Sequence, residues 1–424
     1  MNFNILHITV HLGGGIGPVL LNWIESDTQN KHTIICLNHN YYKTYSKNIV
    51  HEHMKDKLSD ITNFINKADI VVIHFWNHPL LFKFLIDFDW PECRMCFWSH
   101  ISGLSAPYVF STKLVEFSDL FVFASPISYE AKEIIELPPY LTKKLRQVWT
   151  TGNIDDYFKI EPIPHKNFNI GFVGTLDYSK LHPNFVDVCS RINIPNVRFI
   201  ICGGGCDTGI IKQQVKEKGL ESKFIFTGVI DDIKPYLAII DVFGYPLNPN
   251  HFGTCEQVLG EAIAAGIIPV VMKNPAEEYI LFKNIVRFVC TNEEEYIQTI
   301  ELLYHNRHKR SSIITLIQDT VAQLYDTNKM LSAWNTILDF IILQNKRTRN
   351  WEIDTCDRYK GHKIYIESLG NYGKILEKNN TEEIIKLFNS NLQWQSLSKG
   401  SPRQYLETFP EDEQLKEWVE LLNK

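Results

Sequence analysis

Hydrophobic and polar positions fall into two series of short apolar runs, separated by segments with helical spacing. Residues 3–10 read as a first strand. The turn His11-Leu12-Gly13-Gly14-Gly15-Ile16-Gly17-Pro18 follows, then a helix through 19–24. Runs 32–37 and 70–75 are β-branched without polar alternation, as expected of parallel strands buried on both faces. Residues 54–67 between them have helical spacing, and 94–99 and 120–124 predict two more strands. Pro162 and Pro164 then mark a linker, because proline suits neither a helix interior nor a central strand.

The second series begins near residue 168. Strands are predicted over 169–173, 197–201, 224–227, 242–245 and 267–272, the first three ending in Gly174-Thr175, Gly203-Gly204-Gly205 and Gly228-Val229. Strands alternating with helical segments imply right-handed βαβ units and parallel sheets. The expected architecture is α/β: two Rossmann-like domains facing a cleft, 1–160 and 167–345. The helical tract 311–343 closes the second, and 346–424 forms a helical appendix.

Composition narrows the function classes. A chain of 424 residues suits two domains. The net charge of −6 gives no polyanion-binding signature, so no nucleic-acid partner is expected. No run approaches the ~18 apolar residues of a membrane span, and the N-terminus reads as a strand rather than a leader. Nine scattered cysteines fit a reducing cytosol, so a cytoplasmic location is expected. Cys93 and Cys96 have metal-ligand spacing but no second pair, which favours structural thiols and no metal site.

Chemistry concentrates where predicted strands give way to helices. The stretch from His251 to Val271 reads as a small-residue turn, a helix opening on a carboxylate, a glycine stop at Gly266 and a buried strand. Free N–H groups at such a helix start hold phosphate. Glu261, among apolar and small helix positions, is expensive to bury unpaired. A ribose diol would satisfy it, and so would an ion pair with a basic neighbour. Glu256 sits at the helix mouth, either beside a sugar or as a cap. Thr254, Cys255, Gln257 and Val258 complete the opening turn.

Lys180, in the loop after strand 169–173, can neutralise a leaving diphosphate or be a solvated surface lysine. His100, closing strand 94–99, can hydrogen-bond sugar hydroxyls or phosphate; His74 is similarly placed, and for both a structural role is the alternative. In the first loop, Gly14 and Gly15 offer backbone N–H groups to an anion. A dinucleotide fingerprint fails there. Pro18 replaces its third glycine, and strand 32–37 leads into Asn38 without an acidic ribose partner. A plain tight turn is the other reading.

These segments together resemble the GT-B retaining glycosyltransferases of family 4, which build many bacterial surface polysaccharides. The carriers are residues 11–18, Trp98-Ser99-His100, residues 151–155, residues 171–180 and the helix-opening stretch from His251. The resemblance implies metal-independent transfer from a nucleoside diphosphate sugar, expected to be a UDP-sugar, without a further cofactor. The acceptor would be a glycan or lipid-linked glycan, the latter bringing the protein transiently to the inner membrane face. Glu261 matches the family's ribose-binding second glutamate. Its first falls on Gly253, and Glu256 is the candidate replacement. Thr175 stands where an arginine is frequent, Lys180 matches the family lysine, and backbone around Val229 would hold the base. His100, Lys180 and Glu256 are thus the expected catalytic group. Gly14, Gly15, Gly174, Thr175, Val229, Thr254, Cys255, Gln257, Val258 and Glu261 would bind the donor. A GT-B scaffold that binds nucleotide sugar or a partner enzyme without turnover is the competing reading.

Overall fold

The computed structural model describes residues 2–39, 49–281, 288–307, 310–351, 361–390, 392–395 and 400–423. It divides into two compact units. One comprises Met1–Gly152, Thr327–Ser390 and Lys399–Lys424, the other Asn153–Asp326 and Asn391–Ser398.

In the first unit the strands are β1 (Asn4–Thr9), β2 (Lys31–Cys36), β3 (Val50–His51), β4 (Ile70–Phe75), β5 (Trp90–Cys93), β6 (Met95–Ser99), β7 (Leu120–Phe123) and β8 (Leu145–Gln147). Seven of them make a sheet in the order β3-β2-β1-β4-β6-β7-β8, every neighbour parallel. β4 is buried at all six positions, as its unbroken apolar sequence requires. In the second unit, β9 (Phe168–Val173), β10 (Val197–Cys202), β11 (Phe224–Gly228), β12 (Val242–Tyr245), β13 (Ile268–Met272) and β14 (Val289–Cys290) form a parallel sheet in the order β11-β10-β9-β12-β13-β14. Both sheets reverse direction beside their first strand, the kind of switch point where α/β proteins bind ligands.

The units divide the chain differently from the sequence-based expectation. The first ends at Gly152 instead of 160, and the tract 311–343 splits into helices Arg310–Leu324 and Thr327–Ile341. The latter joins the first unit instead of closing the second. Its buried stripe of Met330, Trp334, Ile337, Leu338 and Ile341 lies in the same core as Trp23 and Trp98. Trp334 stacks on Trp23 at 4.1 Å and meets Trp98 edge-on at 4.8 Å. Asn22 ties the helix start, its Nδ2 donating to Thr327 Oγ1 at 3.0 Å and to the Thr151 carbonyl at 2.9 Å. Burying each large apolar side chain contributes about 1.5–3 kcal/mol, so this stripe decides where the helix docks.

Residues beyond 345 extend the first unit, apart from Asn391–Ser398, which belong to the second. Arg347–Arg349 (β15) pairs antiparallel with β5. Arg349 is buried, binding the Cys93 carbonyl at 2.8 Å and the Asp119 carboxylate. Cys93 and Cys96 are buried residues of β5 and β6. Short helices follow, including Gly361–Ser368, Thr381–Phe388, Pro402–Thr408 and Glu413–Leu421, with Tyr365, Tyr405 and Trp418 buried among them. Tyr405 donates from its hydroxyl to Asn77 Oδ1 at 2.9 Å, fastening this layer to the loop after β4. Among the described residues, no helix is long and apolar enough to cross a membrane.

Candidate functional site

In the second unit the carboxyl ends of β9, β10, β11 and β12 converge on glycine-rich loops. Gly174 donates to the Cys202 carbonyl at 3.0 Å and Gly203 to the Gly228 carbonyl at 2.9 Å. A Cβ on Gly203, at φ +138, would strike the Gly174 carbonyl, so the loops close only with glycine there. A Cβ on Gly204 would lie 3.2 Å from the side chain of Val229, which is 77% exposed.

Buried polar groups shape the loop from Thr175 to Lys180. Asp207 Oδ2 accepts the Tyr178 N–H at 2.8 Å, and the buried Asp177 accepts the Ser179 hydroxyl. The loop is fastened to the one after β12. Asn248 donates its N–H to the Lys180 carbonyl at 2.8 Å and its Nδ2 to the Tyr178 carbonyl at 2.8 Å. Lys180 therefore leaves a fixed backbone, and its ammonium lies 3.0 Å from Glu256 Oε2.

Glu256 precedes the helix Gln257–Ala264 in a left-handed conformation, φ +31 and ψ 67, rare for a residue with a side chain. It does not cap the helix through its side chain. Instead Tyr245 donates its hydroxyl to Glu256 Oε2 at 2.7 Å, and Lys180 binds the same oxygen. Tyr325, fully buried, donates its hydroxyl toward the Cys255 and Glu256 carbonyls and holds the strained turn from behind. Gly260 is open to this buttress, because a Cβ there would meet the Tyr325 ring.

The departure at Gly253 now has a physical reason. A Cβ on residue 253 would fall on the Glu256 carboxylate and against the His251 ring. The Glu256 carboxylate thus occupies the space a side chain at 253 would enter. His251 is buried behind it, Nε2 3.3 Å from Glu277 Oε2 and Nδ1 3.9 Å from Glu256 Oε1, with Nδ1 also accepting the Gly253 N–H at 2.9 Å.

The electrostatics follow from these contacts. Burial alone would raise the Glu256 carboxyl, but Lys180, His251 and the Tyr245 hydroxyl outweigh it and hold it below its ordinary range. Burial would lower His251, yet Glu277 and Glu256 raise it. Burial pushes Glu277 up against the pull of His251. Ligand atoms of His251, Glu256 and Glu277 lie within 4.8 Å of one another, close enough to share a cation. Lys180 and the Tyr245 hydroxyl already engage Glu256, and the Gly253 N–H engages His251.

Glu261 lies one turn inside the same helix, partly buried, with no hydrogen-bond or ion-pair partner among the described residues. Burial lifts its carboxyl to about 7, against the pull of the Lys234 ammonium. The ion-pair alternative thus finds no partner among the described residues, and the group is poised to accept donors from a ligand.

The structure puts Lys180, Thr254, Cys255, Glu256, Gln257, Val258 and Glu261 at one helix start in the second unit, while Gly174 and Thr175 follow β9, with Gly174 near the Tyr245 hydroxyl. His100, Gly14 and Gly15 belong to the first unit. Gly14, at φ +65, and Gly15 are exposed at the start of the helix Ile16–Ser26, with open space where side chains would be. His100 is partly buried and joins the buried His74 in a histidine cluster. Sequence reasoning missed Tyr245, Glu277 and Tyr325. Glu277, at the start of Pro275–Leu281, reads in sequence as a first-turn carboxylate complementing the helix dipole. Nothing local marks Tyr325, 70 residues from the carbonyl it binds.

Comparison with known proteins agrees with this geometry. Residues 153–318 match the family described as Glycosyl transferases group 1. A 2-deoxystreptamine N-acetyl-D-glucosaminyltransferase of Niallia circulans is 30% identical over 107 residues, 24% of this chain and 26% of that protein. The chain thus matches about a quarter of that relative's length. Anabaena HepE, solved with UDP and glucose, superposes with TM-score 0.64 at 15% identity, covering 80% of this chain and 100% of HepE. A glycosyltransferase from Rickettsia africae gives 0.60 at 14% identity, covering 81% and 99%. These likenesses establish the two-Rossmann fold seen in the GT-B glycosyltransferases, and the group 1 match is confined to residues 153–318 in the second unit.

Proposed function

From a second unit of group 1 glycosyltransferase type, we propose that this chain is a retaining, metal-independent glycosyltransferase. It would move a sugar from a nucleoside diphosphate sugar, a UDP-sugar by the kinship with HepE, to a glycan or lipid-linked glycan of a surface polysaccharide. The observation that carries this reading is Glu261: a partly buried carboxylate one turn inside an open helix start, without a protein partner among the described residues. Two vicinal ribose hydroxyls would donate to it while the diphosphate meets the N–H groups of Gln257 and Val258.

Among the candidate residues, no serine, cysteine or aspartate is paired with a base as an activated nucleophile would be. Catalysis is therefore assigned to positioning and to stabilising the departing diphosphate. Lys180 supplies that charge at the loop after β9, oriented by Glu256 and Tyr245. No step calls for a metal. A lipid-linked acceptor would draw the protein from the cytoplasm to the inner membrane face.

A second reading, a scaffold that binds nucleotide sugar without turnover, is favoured by one observation. The Lys180 charge is engaged by Glu256, while Thr175 stands where the family often adds an arginine. Titration calorimetry with UDP, GDP, ADP and NAD, with and without magnesium, then anomeric analysis of the product by NMR, tests both. Metal-free binding of one nucleoside diphosphate with an anomer-retained product supports the transferase. Binding without transfer or hydrolysis supports the scaffold. Binding of NAD alone, or inversion at the anomeric carbon, overturns the proposal.

A further inference from the structure

Four histidines and one aspartate of the first unit form an unbroken hydrogen-bonded chain. His32 Nε2 lies 3.1 Å from Asp27 Oδ2, and His32 Nδ1 lies 2.9 Å from His7 Nε2. His7 Nδ1 is 3.0 Å from His74 Nε2, and His74 Nδ1 is 3.0 Å from His100 Nε2. Every ring thus points Nε2 toward the aspartate and Nδ1 toward His100.

The sheet register makes this possible. His7 lies opposite Ile34, two residues beyond His32, and opposite Val72, two residues before His74. His74 lies opposite Trp98, two residues before His100. Because strand side chains alternate faces, a shift of two per strand keeps all four rings on one face, in a diagonal line. His7 and His74 are buried, and the His32 and Asp27 side chains are 2% and 4% exposed. Trp23 meets His7 edge-on at 5.1 Å and closes the chain from above.

The order of protons along such a chain is dictated from one end. Asp27 accepts from His32, from Asn30 Nδ2 and from the N–H groups of Gln29 and Asn30. These donors hold its carboxyl well below the ordinary range despite burial, so it is an acceptor with no proton to give. His32 must then donate through Nε2. If each ring carries one proton, His32 Nδ1 is bare and accepts from His7 Nε2–H. The same step repeats through His74 to His100, whose Nε2–H is used internally and whose Nδ1 is left bare. One extra proton lodged on His32 would reverse every later link and leave His100 presenting Nδ1–H.

We propose that Asp27, His32, His7 and His74 are positioning residues in series, which lock His100 as a neutral hydrogen-bond acceptor through Nδ1. A bare Nδ1 takes a hydrogen from a hydroxyl or N–H and gives nothing to a phosphate oxygen. Of the two ligand chemistries open to His100, the chain thus selects the hydroxyl. That this hydroxyl belongs to a sugar rests on the proposed function; the proton order does not. The chain was invisible residue by residue, since His7 and His32 sit in apolar runs with nothing local to mark them.

The test is a long-range proton–nitrogen NMR correlation on the full chain labelled with nitrogen-15 histidine at neutral pH, assigned by single His→Gln variants. His7, His32, His74 and His100 are all expected in the Nε2–H form. Asp27→Asn, whose amide can donate as well as accept, should shift His100 to a mixture of tautomers while His251 keeps its signals. A His100 resonance of Nδ1–H or imidazolium type in the unmodified protein overturns the proposal, whether or not Asp27→Asn folds. So does an unaltered His100 in a folded Asp27→Asn protein. None of these readouts depends on glycosyl transfer, so a failed transfer assay and a failed proton order are separate results.

Discussion

Two regions of this protein bury several titratable groups, one around the loops after β9 and β12 and one in a diagonal line across the first sheet, and they settle the cost in opposite ways. In the second unit Lys180, Glu256, His251 and Glu277 oppose charge with charge. In the first, Asp27 is the acceptor end of a line of rings, and burial pushes His7, His74 and His100 toward the neutral form. Burial without a partner pushes an imidazole down, whereas burial between carboxylates pushes it up. Under the proposed function, the second unit would meet the anionic donor and the first a hydroxyl.

The largest effect expected is from Trp334→Ala, which removes the ring stacked on Trp23, the cover of the histidine line. A loss of about 4 kcal/mol should appear in urea unfolding. Hydrogen exchange should rise in β1 and β4 and stay unchanged in β9 and β12. Exchange rising equally in both units would show that the helix Thr327–Ile341 serves the second unit as well.

Next is Glu256→Gln, which leaves the Lys180 ammonium and His251 facing a neutral amide. Removing one partner from such a buried pair costs about 3 kcal/mol, read by chemical denaturation. A stability within about 0.5 kcal/mol of the parent would mean that Lys180 does not depend on Glu256 for its place.

The pH dependence separates the units directly. His7, His74 and His100 have folded pKa values below the ordinary 6.5, that of His100 at about 3. Below 6.5 the unfolded chain takes up protons that the folded one refuses, so stability falls as pH drops. The loss is about 1.4 kcal/mol per ring for each pH unit. His251 has the opposite sign: its raised value stabilises below 6.5, and that contribution is lost as pH rises through the folded value. Hydrogen exchange followed from pH 7.5 to 5.5 should loosen β1 and β4 before β9 and β12. The reverse order would break the comparison.

The smallest effect on stability is expected of Glu261→Ala, since no described residue pairs with that carboxylate. Its melting temperature should stay within a degree or two of the parent, roughly the ±0.5 kcal/mol of an unpaired site. Nucleoside diphosphate affinity should fall by about 2 kcal/mol, the worth of hydrogen bonds to a charged acceptor. Because burial sets this carboxyl near 7, affinity for the nucleotide should also weaken as pH falls below about 7. Calorimetry at two pH values checks both, and an affinity indifferent to pH and to the substitution would assign Glu261 to the scaffold.

Much of this was legible in the chain. Runs 70–75 and 242–245 coincide with β4 and β12 to the residue, because a strand buried on both faces admits little but apolar side chains. Glu261 and Lys180 stood out because a carboxylate among alanines and a lysine after a glycine turn break their local pattern. Helix Thr327–Ile341 was legible as a helix but not as part of the first unit. An apolar stripe says that a face is covered and leaves open by what.

The sequence by itself determined the alternation of strands and helices, the glycine loops at strand ends and the carboxylate inside the Gln257 helix. Each is written in spacings of a few residues, where backbone periodicity and glycine's freedom at positive φ act locally. Only the tertiary structure decided that Lys180 pairs with Glu256, that Gly253 makes room for that carboxylate, and that histidines on β1, β2 and β4 and just past β6 join in one line to Asp27. Those contacts join residues up to 76 positions apart in the cluster around Lys180, as sheet register and loop closure bring them together. Register is a relation between strands, set by packing across the sheet, and no single strand carries it.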